Sequence, residues 1–169
     1  DDFQRWVTDK RGDISFFFDS NYRKTLWLNT VIAQSTIEKA LRNSTIAFAS
    51  LDDHKQLTGQ NNEASIVNGL EKSGATQVVL KRGEDGPLLI GKTTANPSFE
   101  RIKNVVDSTA AGDSFNAGFI ASYLQGHSYL KCAEHGHMLA SKVLQYPGAV
   151  CPMSAMRRDT QPKKGARSG

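Results

Sequence analysis

A chain of 169 residues that is 38% hydrophobic is long enough to bury a core and reads as one domain. Its net charge of +4 resides between residues 157 and 169, where Arg157, Arg158, Lys163, Lys164 and Arg167 face Asp159 alone, so residues 1–156 are neutral and no nucleic-acid face is indicated. Two cysteines without metal spacing, Cys132 and Cys151, and no apolar run of spanning length argue against a disulfide scaffold and a membrane helix, and point to a reduced, cytoplasmic compartment.

Residues 3–8 read as the end of a helix, 10–13 as a turn, and 14–18 as a short apolar strand of the buried type. Asp19, Asn21 and Arg23 follow at once, where open α/β sheets place ligands, although Asp19 and Asn21 are also ordinary turn formers. Residues 30–42 carry Ala33, Ile37, Ala40 and Leu41 on one helical face, and 45–49 form a second strand. Ser50, Asp52 and Asp53 come next, readable as strand-end ligands or as first-turn acids favoured by a helix dipole. Residues 63–72 form an amphipathic helix with Ile66, Val67 and Leu70 inward, stopped at Gly74. The strand 77–80 turns through Lys81, Gly83 and Gly86 into a hairpin partner at 88–90. Lys81 is better placed there for a phosphate than for a core.

After a loop around Asn96 and Pro97, residues 106–119 concentrate the chemistry. Asp107 closes a β-type segment, residues 108–112 lack bulk, and Phe115, Phe119 and Tyr123 recur at helical spacing. Asp113 therefore falls on a helix's first turn, where the backbone N–H groups of Ala110, Ala111 and Gly112 lack intrahelical partners and can receive an anion. The same acid also reads as a simple N-cap. Gly112 to Phe115 further resembles the serine block of GDS-type esterases, but none of the four histidines has an aspartate three positions before it, as that family requires. Residues 129–146 then form a helix with Leu130, Ala133, His137, Ala140 and Leu144 as its stripe; His135 and His137 face different sides and do not chelate one metal. Strands alternating with helices predict an α/β domain with a largely parallel sheet.

Residues 106–119 resemble the second signature of the ribokinase family of carbohydrate kinases, and Asp19, Asn21 and Arg23 resemble a shorter element of that family. The stretches Asp-Ser-Asn-Tyr-Arg-Lys-Thr-Leu-Trp, Ala-Ser-Leu-Asp-Asp-His, Val-Val-Leu-Lys-Arg-Gly and Gln-Tyr-Pro-Gly-Ala-Val are similar to those of the family's bacterial 2-keto-3-deoxygluconate kinases. The resemblance implies a ribokinase-like, Rossmann-like three-layer α/β/α sandwich over residues 1–156, as the carboxyl-terminal part of a kinase domain, while the charge and Pro/Gly/Ser content of 157–169 predict a basic, disordered tail. It implies ATP-dependent phosphorylation of a small-molecule sugar acid, with neither nucleic acid nor membrane as partner; homo-oligomerisation of a full-length form stays open.

By this resemblance Asp113 is the general base, Ala110, Ala111, Gly112 and Asp113 supply an anion hole, and Arg23 holds the acidic sugar or the transferring phosphoryl. Ser50, Lys81, Gly83, Gly86, Gly112 and His137 fall along the nucleotide. Asp53, in a position where many members carry glutamate, approaches Mg2+ through water, and Asp107 and Thr109 match a loop that binds a monovalent cation in some members. Arg23, Asp53 and Lys81 are expected to meet Asp113 at one sheet edge. A kinase for fructose or ribose, and a non-catalytic nucleotide-binding fragment, remain alternatives, because the family's sugar-side signature would precede Asp1.

Overall fold

The structure is a computed structural model that describes residues 2–10, 14–102 and 104–156; the basic tail at 157–169 lies outside the described residues. It divides into two compact units, residues 1–100 and 101–169. No helix among the described residues is long and apolar enough to cross a membrane.

In the first unit, α1 (Asp2–Asp9) precedes the short strand β1 (Phe17–Asp19). A 3-10 turn at Lys24–Leu26 leads into α2 (Thr30–Asn43), followed by β2 (Ile46–Ser50), α3 (Leu51–Thr58), α4 (Glu63–Glu71), β3 (Gln77–Lys81) and β4 (Pro87–Gly91). The sheet order is β1-β2-β3-β4, with β1, β2 and β3 parallel and β4 antiparallel to β3. The hairpin explains the exception: the connection through Gly83–Asp85 is too short for a parallel crossover. The predicted strand at 14–18 shrinks to Phe17–Asp19, with Ile14 in only a bridge.

Helix starts follow local chemistry. Asn29, Ser50 and Asn62 cap α2, α3 and α4, each side-chain oxygen accepting a first-turn N–H. Ala33, Ile37 and Leu41 of α2, Leu57 of α3, and Ile66 and Leu70 of α4 pack on one sheet face made by Ala47, Ala49, Val78, Leu80 and Ile90. The alternate residues Ile46, Phe48, Val79 and Leu89 are buried as well, so the central strands are apolar on both faces. Burying each large aliphatic side chain contributes about 1.5–3 kcal/mol.

The second unit contains α5 (Ala111–Leu124), α6 (Tyr129–Val143) and the short α7 (Met153–Met156). The strand expected before Asp107 is absent: the N–H groups of Val106 and Asp107 both donate to the Leu144 carbonyl at the end of α6 rather than to a sheet. Helix α6 ends at Val143, short of the predicted 146, and its buried face is Cys132, Ala133, Gly136, Ala140 and Val143. Leu130, expected inward, is exposed, because the contact with α5 selects a face containing glycine. A Cβ on Gly118 would lie 2.6 Å from the His135 carbonyl oxygen, and one on Gly136 would lie 2.8 Å from that of Phe115. The two helices thus touch backbone to backbone.

Candidate active site

Four charged side chains gather at the carboxyl ends of β1, β2 and β3. Parallel strands end at the same level, so the residue closing each strand comes beside its neighbours. Lys81 Nζ donates to Asp19 Oδ2 at 2.9 Å, and Arg23 Nη1 lies 3.6 Å from Asp53 Oδ1. The Asp53 side chain is 15% exposed against 59% for Arg23. Burial pushes the Asp53 carboxyl above the ordinary carboxylate range and Asp19 adds to this, while Arg23, Lys81 and His54 oppose it. The backbone between β1 and Arg23 is sharply turned: Asn21 has a φ of 29° and its N–H donates to Asp19 Oδ1 at 3.0 Å. Between them the Ser20 hydroxyl is buried without a hydrogen-bond partner among the described residues.

Ser50 is occupied by the fold. Its hydroxyl accepts the Asp53 N–H at 3.4 Å and its carbonyl receives the His54 ring at 3.3 Å, so its first role is to start α3. Asp52 is solvent-exposed beside Lys55 at 3.4 Å, which leaves Asp53 as the acid directed to the cluster. Gly83 and Gly86 adopt φ values of 58° and 73°, a turn requirement that the sequence signalled. The loop is fastened by Arg82, which composition did not single out. Its guanidinium, 10% exposed, reaches Glu63 Oε1 at 3.0 Å, Asn96 Oδ1 at 2.6 Å, and the carbonyls of Gly86 and Asp85 at 3.1 and 3.2 Å.

In the second unit, Asp113 is exposed on the first turn of α5 but is not its N-cap, which is Ala110. Ala110 sits in the left-handed region with a φ of 58° and gives no side-chain cap. The Ala111 N–H donates to the Ser108 carbonyl at 3.2 Å, so this amide, expected in the anion hole, serves the turn instead. The N–H groups of Gly112 and Asp113 have no partner among the described residues. Asp107 fastens this loop: Oδ1 accepts the Thr109 N–H at 2.8 Å and Oδ2 accepts the Gly148 N–H at 2.8 Å. Hydrogen bonds from Thr109, side chain first and then backbone, with Gly148 following, hold the Asp107 carboxyl below its ordinary range. His137 is half-buried on α6, and its carbonyl accepts the Ser141 hydroxyl at 2.6 Å. His135 turns to α5 and bonds Ser122 Oγ at 2.9 Å.

Chemically, the first unit offers a paired set of cations and carboxylates, and the second offers bare amides beside an exposed carboxylate. Each set by itself can hold phosphate oxygens, and the Asp113 carboxylate can accept a proton.

Over 143 residues the chain is 38% identical to the 2-dehydro-3-deoxygluconokinase of Escherichia coli strain K12, covering 82% of this chain and 46% of that protein. The enzyme of that name from Dickeya dadantii gives the same identity and coverage. The chain thus spans about half the length of the curated relatives it matches. Aminoimidazole riboside kinase from Salmonella enterica, solved with its riboside and an ATP analog, shares the fold at a TM-score of 0.77 and 24% identity, over 92% of this chain and 52% of that one. The likeness shows a ribokinase-like α/β fold. With residues 5–156 matched by the family as a whole, the chain belongs to the pfkB family of carbohydrate kinases.

Proposed function

We propose that this chain carries the phosphate-handling part of an ATP-dependent kinase for 2-keto-3-deoxygluconate, forming the 6-phosphate. The sugar is the one for which the 38%-identical relatives are named. The observation that carries the chemistry is the start of α5, where two unpaired N–H groups and an exposed carboxylate share one turn.

ATP and a divalent cation fit the residues present. An uncapped helix N-terminus suits phosphate oxygens, and a carboxylate such as Asp53 is a hard oxygen donor suited to Mg2+ or its waters. Mg2+, when bound, neutralises phosphate charge. Asp113 accepts the proton of the sugar's terminal hydroxyl as that oxygen bonds to the γ-phosphorus and the bond to ADP breaks. The Gly112 and Asp113 amides, with Ala110 holding the turn, receive charge on the transferred group. Arg23 binds the sugar carboxylate or the transferring phosphoryl, for which its planar fork is suited. Lys81, Gly83 and Gly86 follow the nucleotide phosphates, Ser50 and His137 border the nucleotide, and Asp107 and Thr109 shape the loop at which a monovalent cation would bind.

The test is ADP release in a polypeptide extended to the relatives' length, with 2-keto-3-deoxygluconate compared with fructose and ribose. Asp113→Asn is expected to lower kcat at least about 100-fold, within the range for loss of a general base, with nucleotide affinity retained. Unchanged turnover removes Asp113 from the role, and preference for a neutral sugar changes the substrate.

A further inference from the structure

The helical layer of the first unit contains a cleft of about 510 Å3 between α2 and α4, with the end of α3 beside them. Its floor is apolar, including Leu41, Leu57 and Ile66, all nearly fully buried. The rim is charged. Arg42 and Lys72 line it, exposed and without an ion pair among the described residues; Glu38 is the one acid among its lining residues. His54 is a buried polar group that also lines the cleft. Its Nδ1 meets the Ser50 carbonyl at 3.3 Å, and its other ring nitrogen has no hydrogen bond among the described residues.

A cleft of this volume falls within the range of small-molecule sites, which combine apolar walls with a few polar groups that fix orientation. Two unpaired cations over an apolar floor select a ligand with an apolar body and an anionic head, and a guanidinium is suited to a planar carboxylate. Glycine in α4 keeps the space open. Gly69 lines the cleft, and a Cβ placed on it would meet nothing within 4 Å.

We propose that the α2/α3/α4 cleft is a binding site for a small apolar carboxylate, with the head at Arg42 and Lys72 and the body over Leu41, Leu57 and Ile66 beside His54. The site is independent of the phosphoryl-transfer reading, and its test needs no kinase activity.

The probe is 2-naphthoate, titrated into the 169-residue chain by calorimetry, with neutral 2-naphthalenemethanol as the comparison. Naphthoate is expected to bind saturably, at least about tenfold more tightly than the alcohol, a difference of about 1.4 kcal/mol. Arg42→Gln and Lys72→Gln are each expected to weaken it several-fold and leave the alcohol unchanged. Gly69→Leu is expected to abolish binding while the chain stays folded by circular dichroism, since leucine is a better helix former than glycine. On the unsubstituted chain, the His54 ring resonances are expected to shift as naphthoate saturates. No saturable binding below about 10 mM, where the free energy is under about 3 kcal/mol, overturns the site. So do unaltered affinity in Gly69→Leu and unmoved His54 resonances; equal affinity for the alcohol overturns the anionic specificity.

Discussion

Asp19 Oδ2 and Lys81 Nζ meet at 2.9 Å, joining the ends of two strands that are not neighbours, because β2 lies between them. Both side chains are mostly buried, at 25% and 18% exposure, so the pair is less screened than a surface ion pair. Lys81→Met is expected to lower stability by about 1–3 kcal/mol in urea unfolding, the usual range when a charged hydrogen-bond partner is lost. Adding Asp19→Asn should recover part of that loss. If the two losses simply add, the bridge contributes nothing measurable.

Arg82 supplies a second long-range tie, from the hairpin turn to Glu63 and Asn96. Lysine retains the charge but not the fork, and cannot reproduce four bonds spread over three nitrogens. Arg82→Lys is therefore expected to destabilise the chain by about 1.5–3 kcal/mol, as for hydrogen bonds to charged groups. Amide hydrogen exchange at residues 83–86 should accelerate along with it, which a urea midpoint alone would not show.

Gly118 and Gly136 allow α5 and α6 to touch, and alanine at either would press a methyl group into a carbonyl. Helix propensity favours alanine by about 1 kcal/mol, so the sign of the change decides which effect wins. Overpacking of about 1–3 kcal/mol should prevail, and both substitutions are expected to lower the thermal midpoint. Gly69→Ala, with open space around its Cβ, should raise it.

Acid should weaken the fold through His54. Burial is the main reason its ionisation falls below 6.5; the Ser50 hydrogen bond and then Asp53 partly offset it. The unfolded chain therefore binds the proton first, so this contribution is intact above about pH 6.5 and declines as pH falls through that value toward the lower folded one. His54→Gln should flatten this limb of a stability-against-pH curve. The Asp53 carboxyl acts with the opposite sign: raised by burial, it gains protons on folding, and its contribution improves as pH falls from the raised value toward 3.8. Measuring His54→Gln beside Asp53→Asn separates the two.

Much of the first unit could be read before folding. Period and caps located the helices because Ala33, Ile37 and Leu41 repeat on one face behind Asn29, and the strands stood out as apolar runs ending in polar residues. The second unit was less transparent. Val105 and Val106 have strand propensity, yet the chain there bonds to the end of α6, a tertiary choice that local pattern does not encode. Leu130 was misplaced for a related reason: small residues permit close helix approach, and periodicity of large apolar side chains does not reveal them. Asp19, Arg23, Asp53 and Lys81 were each visible at strand ends, but their pairing, Asp19 with Lys81 and Arg23 with Asp53, depends on strand order. Arg82 stands within the Val-Val-Leu-Lys-Arg-Gly resemblance but carries no expected role there, since an arginine in a turn usually faces water.

Ala110 holds a left-handed backbone that, for a residue with a Cβ, costs about 1–2 kcal/mol. Asp107 and the packed α5 and α6 helices oppose any relaxation of it. On the proposed reading an arriving phosphate would have little chain to order, and its affinity would not be diminished by the entropy of closing a loop. Ala110→Gly would ease the backbone and release that rigidity together, so a more comfortable turn would be a poorer receptor.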